Sequence, residues 1–560
     1  MNSTTRREFL ASCAGGLVLS ATQLHRPARA SFYSTTSGIV CGEPSMEPIG
    51  QQVLADGGNA VDALVATALA AAVTQMQQTG IGGYGAHAVF ASGDGKTLAA
   101  IDANSTAPAS FTNEIFKPDS NGKVPNDKHM HGWLSSGVPG VLAGLAQAAK
   151  QYGSWSLHDL LQPAIRLARD GFELSPPTAN AIASSATKLQ LYSGSRSLYI
   201  PDGRVPRAGE RFSNPELAAV LETVAKANSD DPFYRGDVAG IIADRFAREG
   251  GMVTRADFAN YQARLVKPLS LTFGDIQIIT APLTAGGFTV LQTLELLQAL
   301  NWPGLQEPVR THAQIEAVRL CWRDRLNHLG DFSFGKKFAD STSKAGELIN
   351  LESEVEKRLR SQEYLQQSAA KVRQAIINKQ LLEPAFRSDT QAGTLNFSVV
   401  DKHGNMMALT LTHGEAFGSK VTVDGLGLTL GHGMSRFDVQ PRHPNAPGPG
   451  KRPLNNMCPT IVLKAGRPVC AVGGRGGRKI PNAVLEFLIQ LVLNNQTAEA
   501  AMRAPRFHTE GGKQVEYQKG VQSLQANYLT DLGYATKEGT SATLSAVAME
   551  PDGSLIRLMR

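Results

Sequence analysis

Gly393-Thr394-Leu395-Asn396-Phe397-Ser398-Val399-Val400-Asp401-Lys402-His403-Gly404-Asn405 is the stretch on which the reading of this chain turns. Thr394 to Asp401 reads as a strand of the buried type. His403-Gly404-Asn405 reads as a turn carrying the Gly and Asn that hairpins prefer, and Met406 to Thr412 as the returning strand. Ahead of it, Ala385 to Gly393 is polar and flexible in composition. Thr394 therefore stands where a polar linker meets a strand. A Thr hydroxyl is a weak nucleophile unless a base adjoins it. A cut before Thr394 would free an α-amino group on the same residue to act as that base. Such an amine titrates near neutrality, which suits proton transfer.

Downstream, the strand-like Thr460 to Lys464 and Val469 to Val472 lead into Gly473-Gly474-Arg475-Gly476-Gly477, and a helix is expected from Asn482 to Leu493. A glycine turn between strand and helix can bring two backbone N–H groups close to a tetrahedral oxyanion. Taken singly, a Thr at a strand start and a glycine turn are ordinary structure; together they suggest acyl transfer.

Upstream, Gly58-Asn59-Ala60-Val61-Asp62-Ala63 opens an Ala-rich helix through about Val73. Thr79-Gly80-Ile81-Gly82-Gly83-Tyr84-Gly85 follows, then the strand-like His87 to Phe90. The stretch contains G-x-G-x-x-G. However, a dinucleotide-binding motif follows a strand and opens a helix, and here the order is reversed. From Gly140 to about Lys379 the pattern is mainly helical, with apolar positions at three- and four-residue spacing in Leu157 to Arg169 and Ala313 to Leu329. Glu347 to Leu382 is charged and helical. Helices in the middle and strands in the last third indicate a large layered α/β protein.

Composition narrows the classes. Of 560 residues, 42% are hydrophobic and 19% charged, which excludes a disordered chain. The net charge of +6 is small for this length and forms no dense basic tract, so there is no case for a nucleic-acid partner. Thr5-Arg6-Arg7-Glu8-Phe9-Leu10, an apolar stretch from Ala11 to Ala21, and Ala28-Arg29-Ala30 have the order of a signal peptide. The paired arginines point to the twin-arginine route and a periplasmic or secreted product. Removing residues 1–30 lowers the charge to +3. No later run is apolar and long enough for a membrane span. Cys41, Cys321, Cys458 and Cys470 are too few for a disulfide framework and read as buried small hydrophobes. No C-x-x-C, H-E-x-x-H or calcium-loop pattern occurs. His129-Met130-His131 reads as an exposed loop, so neither metal nor cofactor is expected.

With these residues in view, the chain resembles the γ-glutamyltranspeptidase superfamily of self-cleaving N-terminal-nucleophile hydrolases. The matching segments are Gly57 to Ala63, Thr79 to Gly85, Gly137 to Gly140, Gln162 to Phe172, Ile315 to Arg325, Thr394 to Asn405, Lys451 to Val462, Gly473 to Ile480 and Ala504 to His508. The resemblance implies a four-layer αββα sandwich with a helical large-subunit lobe. It implies cleavage between Gly393 and Thr394, giving a large subunit of 31–393 and a catalytic subunit of 394–560 that stay associated and act on a small-molecule amide. Thr394 matches the nucleophile, Thr412 the second Thr that bonds it, and Gly476 and Gly477 the oxyanion pair. Thr390 is a rival cleavage site, but spacing to Ser398-Val399-Val400-Asp401 favours Thr394.

The substrate-gripping positions depart from the family pattern. The carboxylate-binding Arg falls on Asn104, the Asn after the second Thr on Gly414, the Gln before the paired acids on Gly433, and the amino-binding Asp on Arg436. The carboxylate-binding Ser pair falls on Asn455 and Asn456, which can still donate hydrogen bonds. The lid loop is short between Phe437 and Lys451. A cation at Arg436 would repel an ammonium, and loss of the Arg removes a bidentate clamp. Arg436 and Arg475 are expected to bring positive charge to the site. Three readings follow: an amidohydrolase with an acyl group other than γ-glutamyl, a divergent γ-glutamyl hydrolase or transferase, and an inactive ligand-binding homologue.

Overall fold

Side-chain alternation along the central hairpin sets the layers. In a strand, successive side chains face opposite sides of the sheet. Leu395, Phe397 and Val399 join one apolar cluster with the helices, whereas Val400 joins a second cluster lying between two sheets. The computed structural model of the protein describes residues 31–33, 37–333, 348–383 and 393–560. Residues 1–30, expected to be the signal, and Thr390, the rival cleavage site, lie outside the described residues.

The hairpin sits in the middle of a six-stranded antiparallel sheet. Its order is Gly38–Cys41, Thr394–Asp401, Met406–Thr412, Gly85–Ala91, Leu98–Ala103, Arg264–Val266. A seven-stranded antiparallel sheet faces it, in the order Ser31–Tyr33, Leu555–Met559, Thr543–Met549, Arg467–Arg475, Thr460–Lys464, Ile276–Thr280, Leu269–Phe273. Apolar residues of both sheets, among them Ile39, Val89, Val400, Ile461, Ala471 and Val547, fill the space between them.

Helices cover the two outer faces. Ala60–Thr74 lies on the six-stranded sheet and is buried along its whole length, which explains why it is apolar all round rather than striped. Asn59 caps it, accepting from the Val61 and Asp62 N–H groups while Asp62 answers to the Asn59 N–H. Gly287–Ala299 and Lys479–Leu488 cover the seven-stranded sheet. This is the αββα sandwich. Further helices between Val141 and Arg248 build a lobe against the first sheet.

Several sequence expectations are corrected. The middle of the chain is mainly helical, as expected, but it also carries strands not anticipated: Arg264–Val266 extends one sheet, and the hairpin Leu269–Phe273/Ile276–Thr280 extends the other. Its turn uses Gly274 at φ +59°, and its alternation is short enough to be hidden among helices. The helix expected from Asn482 begins at Lys479, because the Lys479 and Ile480 amides already bond back to Gly476 and Gly477. It ends in a π-turn at Ile489–Leu493. The charged stretch 347–382 contains two helices, Glu354–Leu359 and Gln362–Ile377, capped by Ser353 and Ser361. The four remaining cysteines are free and buried. No helix among the described residues is long and apolar enough to cross a membrane.

Candidate active site

Thr394 and Thr412 are register partners at one end of the hairpin. Each lies an even number of residues from an inter-sheet position, Val400 and Met406 respectively, so both side chains face the second sheet. Thr394 Oγ1 lies 3.1 Å from Thr412 Oγ1. Thr412 in turn donates to the carbonyl oxygen of Gly393 and accepts from the Gly414 N–H at 2.8 Å. A hydroxyl has a single proton to give. With Thr412 donating to Gly393, the Thr394 hydroxyl is the donor in the Thr394–Thr412 pair. The relay draws the proton side of Thr394 Oγ1 away from the Gly393 carbonyl and polarises that carbonyl. Both Thr residues are buried, at 6% and 1% exposure.

Gly393 is required by its surroundings. A Cβ there would lie 2.5 Å from the main-chain carbon of Glu415.

The glycine turn approaches from the second sheet. Gly473 lies against Asn396, where a Cβ would come within 2.1 Å of the amide oxygen. The Asn396 carboxamide lies 2.8 Å from Ser545 Oγ and 2.9 Å from Thr410 Oγ1, tying the sheets together beside Thr394. Gly476 and Gly477 leave the strand at φ +136° and +62°, conformations that favour glycine. Arg475, the last residue of that strand, is paired with Glu43 at 2.9 Å. Its charge is thereby neutralised by a carboxylate rather than offered to the site.

The substrate-binding positions fall into two groups. Asn104 is fully buried, and its Nδ2 donates to Thr284 Oγ1 at 2.7 Å and to the Pro453 carbonyl at 2.5 Å. Asn455 is 2% exposed; its Nδ2 donates to His87 Nε2 at 3.0 Å and its Oδ1 accepts from the Met457 N–H. Both amides thus brace the wall of the site from behind. Asn456 is half-buried, with Oδ1 3.5 Å from Arg325 Nη2. Gly433 opens the short turn Gly433–Arg436, pressed on Ser105. Arg436 is half-buried; its Nη2 donates to the Gly414 carbonyl at 3.0 Å and its guanidinium stands 5.8 Å from the Tyr84 ring centroid.

Four residues were not singled out individually in the sequence. Tyr84, inside the glycine-rich turn, lies under Arg436, and burial raises its phenol above the usual range while Arg436 and Arg325 oppose that. Arg325 is buried, and burial together with Arg478 pulls its guanidinium down to about 10. His432 packs on Gly414, where a Cβ would come 2.2 Å from the imidazole, which accounts for glycine at that position. Its Nδ1 lies 3.1 Å from the Met130 carbonyl. The His129-Met130-His131 segment is thus half-buried against the site rather than an exposed loop. His413, next to Thr412, is fully buried, and burial lowers it to about 3, so it stays neutral. Glycine signatures flagged the first of these positions; nothing local in the sequence marked the histidines.

The arrangement compares with known proteins along nearly its whole length. The family profile described as gamma-glutamyltranspeptidase matches residues 47–557. The chain is 32% identical over 518 residues to the glutathione hydrolase proenzyme of Bacillus subtilis (strain 168), covering 90% of this chain and 85% of that one. It is 32% identical over 526 residues to the glutathione hydrolase proenzyme of Escherichia coli (strain K12), covering 90% and 87%. It is 29% identical over 531 residues to the acylase ACY 1 proenzyme of Pseudomonas sp. (strain SE83), covering 92% and 90%. Among solved structures, a cephalosporin acylase from Bacillus halodurans shares the fold with a TM-score of 0.80 at 24% identity, covering 97% of each chain.

Proposed function

Because the chain belongs to the gamma-glutamyltranspeptidase family, an enzyme family, we propose that it is a self-processing threonine amidohydrolase whose acyl specificity has moved away from γ-glutamyl. The observation that carries this reading is the relay from Thr394 Oγ1 through Thr412 Oγ1 to the Gly393 carbonyl. In the uncut chain, Thr394 Oγ1 attacks the Gly393 carbonyl carbon. The Gly393–Thr394 C–N bond breaks, the Thr394 nitrogen takes up the proton, and an ester links the two pieces. Water hydrolyses that ester, leaving a carboxylate on Gly393 and a free amine on Thr394. The two products are the large and small subunits, 31–393 and 394–560.

In the processed enzyme the α-amine takes the proton of Thr394 Oγ1 as it attacks a substrate amide. The Gly476 and Gly477 N–H groups stabilise the tetrahedral oxyanion. The amine leaves with that proton, and water or an amine acceptor releases the acyl group. An N-terminal twin-arginine leader over residues 1–30 would deliver the enzyme beyond the inner membrane. Its folded-protein route suits a chain that must fold before it cuts itself.

The first test is a denaturing gel with N-terminal sequencing. Two fragments are expected, the smaller beginning at Thr394. One uncut chain would sink the proposal. A second reading, γ-glutamyl transfer or hydrolysis, is favoured by relatives named glutathione hydrolase proenzymes at 32% identity. Robust, Thr394-dependent turnover of a γ-glutamyl anilide would select it.

A further inference from the structure

A polar cavity of about 290 Å³ lies in the helical layer over the seven-stranded sheet and shares no residue with the site around Thr394. That volume is near the lower end of the range in which proteins hold small molecules. Gln314 reaches it from the helix Val309–His328 and Glu486 from Lys479–Leu488. Gln490 lies in the π-turn Ile489–Leu493, and Asn494 at its end.

The charges in this cavity cancel. Glu307 pairs with Arg310 at 2.9 Å and accepts from Thr311 Oγ1 at 2.6 Å. Glu486 is 6% exposed, and burial pushes its carboxyl up to about 8, against the pull of the Phe507 N–H, Arg506 and Gln314. At neutral pH it keeps its proton. Among the described residues, therefore, no lining side chain offers an unpaired charge to a ligand.

The cavity offers alternating donors and acceptors instead. Glu486 Oε1 accepts from Gln314 Nε2 at 2.7 Å and from the Phe507 N–H at 3.3 Å. The carboxyl proton then belongs on Oε2, as a donor, while Gln314 keeps its Oε1 as an acceptor. Gln490 Oε1 accepts from Asn494 Nδ2 at 2.9 Å, which leaves Gln490 Nε2 as a donor and Asn494 Oδ1 as an acceptor. Glu486 and Gln314 are both more than nine-tenths buried, so their remaining atoms are reached only through the cavity. A hydroxyl both donates and accepts, and neighbouring hydroxyls on a ring present the same alternation. An ammonium only donates and would oppose the two donors. A carboxylate only accepts and would oppose the two acceptors.

We propose that this cavity is a binding site for a small uncharged polyhydroxylated ligand, a pyranose or cyclic polyol, held by Glu486, Gln314, Gln490 and Asn494. Phe507 and Val521 supply apolar wall for the C–H face of such a ring. The inference does not rest on the acyl-transfer reading of Thr394, and its readout is binding rather than turnover.

The test is a saturation-transfer NMR titration of the purified protein with D-glucose, D-galactose and myo-inositol, and with methylammonium and acetate as charged probes. At least one of the three polyols is expected to bind saturably, and neither charged probe is. Gln314→Leu and Gln490→Leu should each weaken that binding by about 10-fold, the loss of one hydrogen bond together with the partner left unpaired. Glu486→Gln, which keeps a donor and an acceptor in place, should retain it. Circular dichroism reports that each variant has folded, and either Leu variant decides the matter if the other does not fold. No saturable binding of any of the three polyols, binding of methylammonium or acetate as tight as that of the best polyol, or unchanged affinity in a folded Leu variant would each overturn the inference.

Discussion

Thr412 Oγ1 stands between Thr394 Oγ1, at 3.1 Å, and the carbonyl oxygen of Gly393, bonding to both. One hydroxyl on the neighbouring strand therefore contacts both the Thr394 oxygen and the Gly393 carbonyl, the two groups that the proposed cut brings together. The Thr394–Thr412 pairing in the hairpin register places it there. Thr412→Val keeps the shape and removes the hydroxyl. It is expected to slow self-cleavage by roughly 10- to 100-fold, the equivalent of one or two hydrogen bonds in the transition state. Time-resolved gels of the refolding or freshly translated precursor measure this, and an unchanged rate would remove Thr412 from the mechanism.

Thr394→Ala should abolish cleavage altogether and leave a folded precursor of full length, since the attacking oxygen is gone. Thr394→Ser should still cut, because it retains the hydroxyl. Intact-mass analysis of both proteins decides the matter. A fully processed Thr394→Ala protein would show that another residue does the cutting.

Gly476→Val tests the oxyanion turn. Its φ of +136° is strained for a side chain, and a Cβ would press on Ala542 at 3.0 Å. The turn must shift, taking its N–H with it. A fall in kcat of about 100-fold is expected, comparable to loss of one oxyanion donor, with a smaller change in KM. A normal kcat would mean that the oxyanion is held elsewhere.

Glu486 links stability to alkaline pH. It is 6% exposed and accepts from Gln314 Nε2 at 2.7 Å and from the Phe507 N–H, and burial pushes its carboxyl up to about 8. The folded state therefore holds this proton more tightly than the unfolded chain, whose carboxyl titrates near 4.5. Stability from this residue is complete below about 4.5 and is lost as pH rises through about 8. Glu486→Gln keeps an accepting oxygen and removes the titration. Its Tm should fall less than that of the wild type between about pH 5 and about pH 9, and superimposable slopes would refute the assignment.

The hairpin that begins at Thr394 and the glycine turn after Arg475 were legible because their signals are local. A strand with buried alternation, a turn with Gly and Asn, and clustered glycines each constrain only a few consecutive residues. The pocket was less legible because its chemistry depends on pairings far apart in sequence. That Asn455 turns inward follows from His87, and that Arg475 is neutralised follows from Glu43; neither is visible in the local run of residues. The strands at 264–280 were missed for a related reason. They are too short for periodicity to separate from the helices around them, and only their places at the sheet edges make them strands.

The strand order has a consequence for the life of the protein. Strands from 394 onward, Thr394–Asp401 and Met406–Thr412, lie between Gly38–Cys41 and Gly85–Ala91, and Thr460–Lys464 lies beside Ile276–Thr280 in the other sheet. A cut at Thr394 therefore severs one covalent bond between pieces that remain woven through both sheets. Unfolding such a cut molecule releases two separate polypeptides, and reassembly then becomes a second-order event that dilution slows. The intact precursor refolds as one chain with no such penalty. On the proposed cut, the architecture would make maturation a ratchet: the chain would need its continuity to reach this topology once, and after the cut it would persist by the slowness of unravelling.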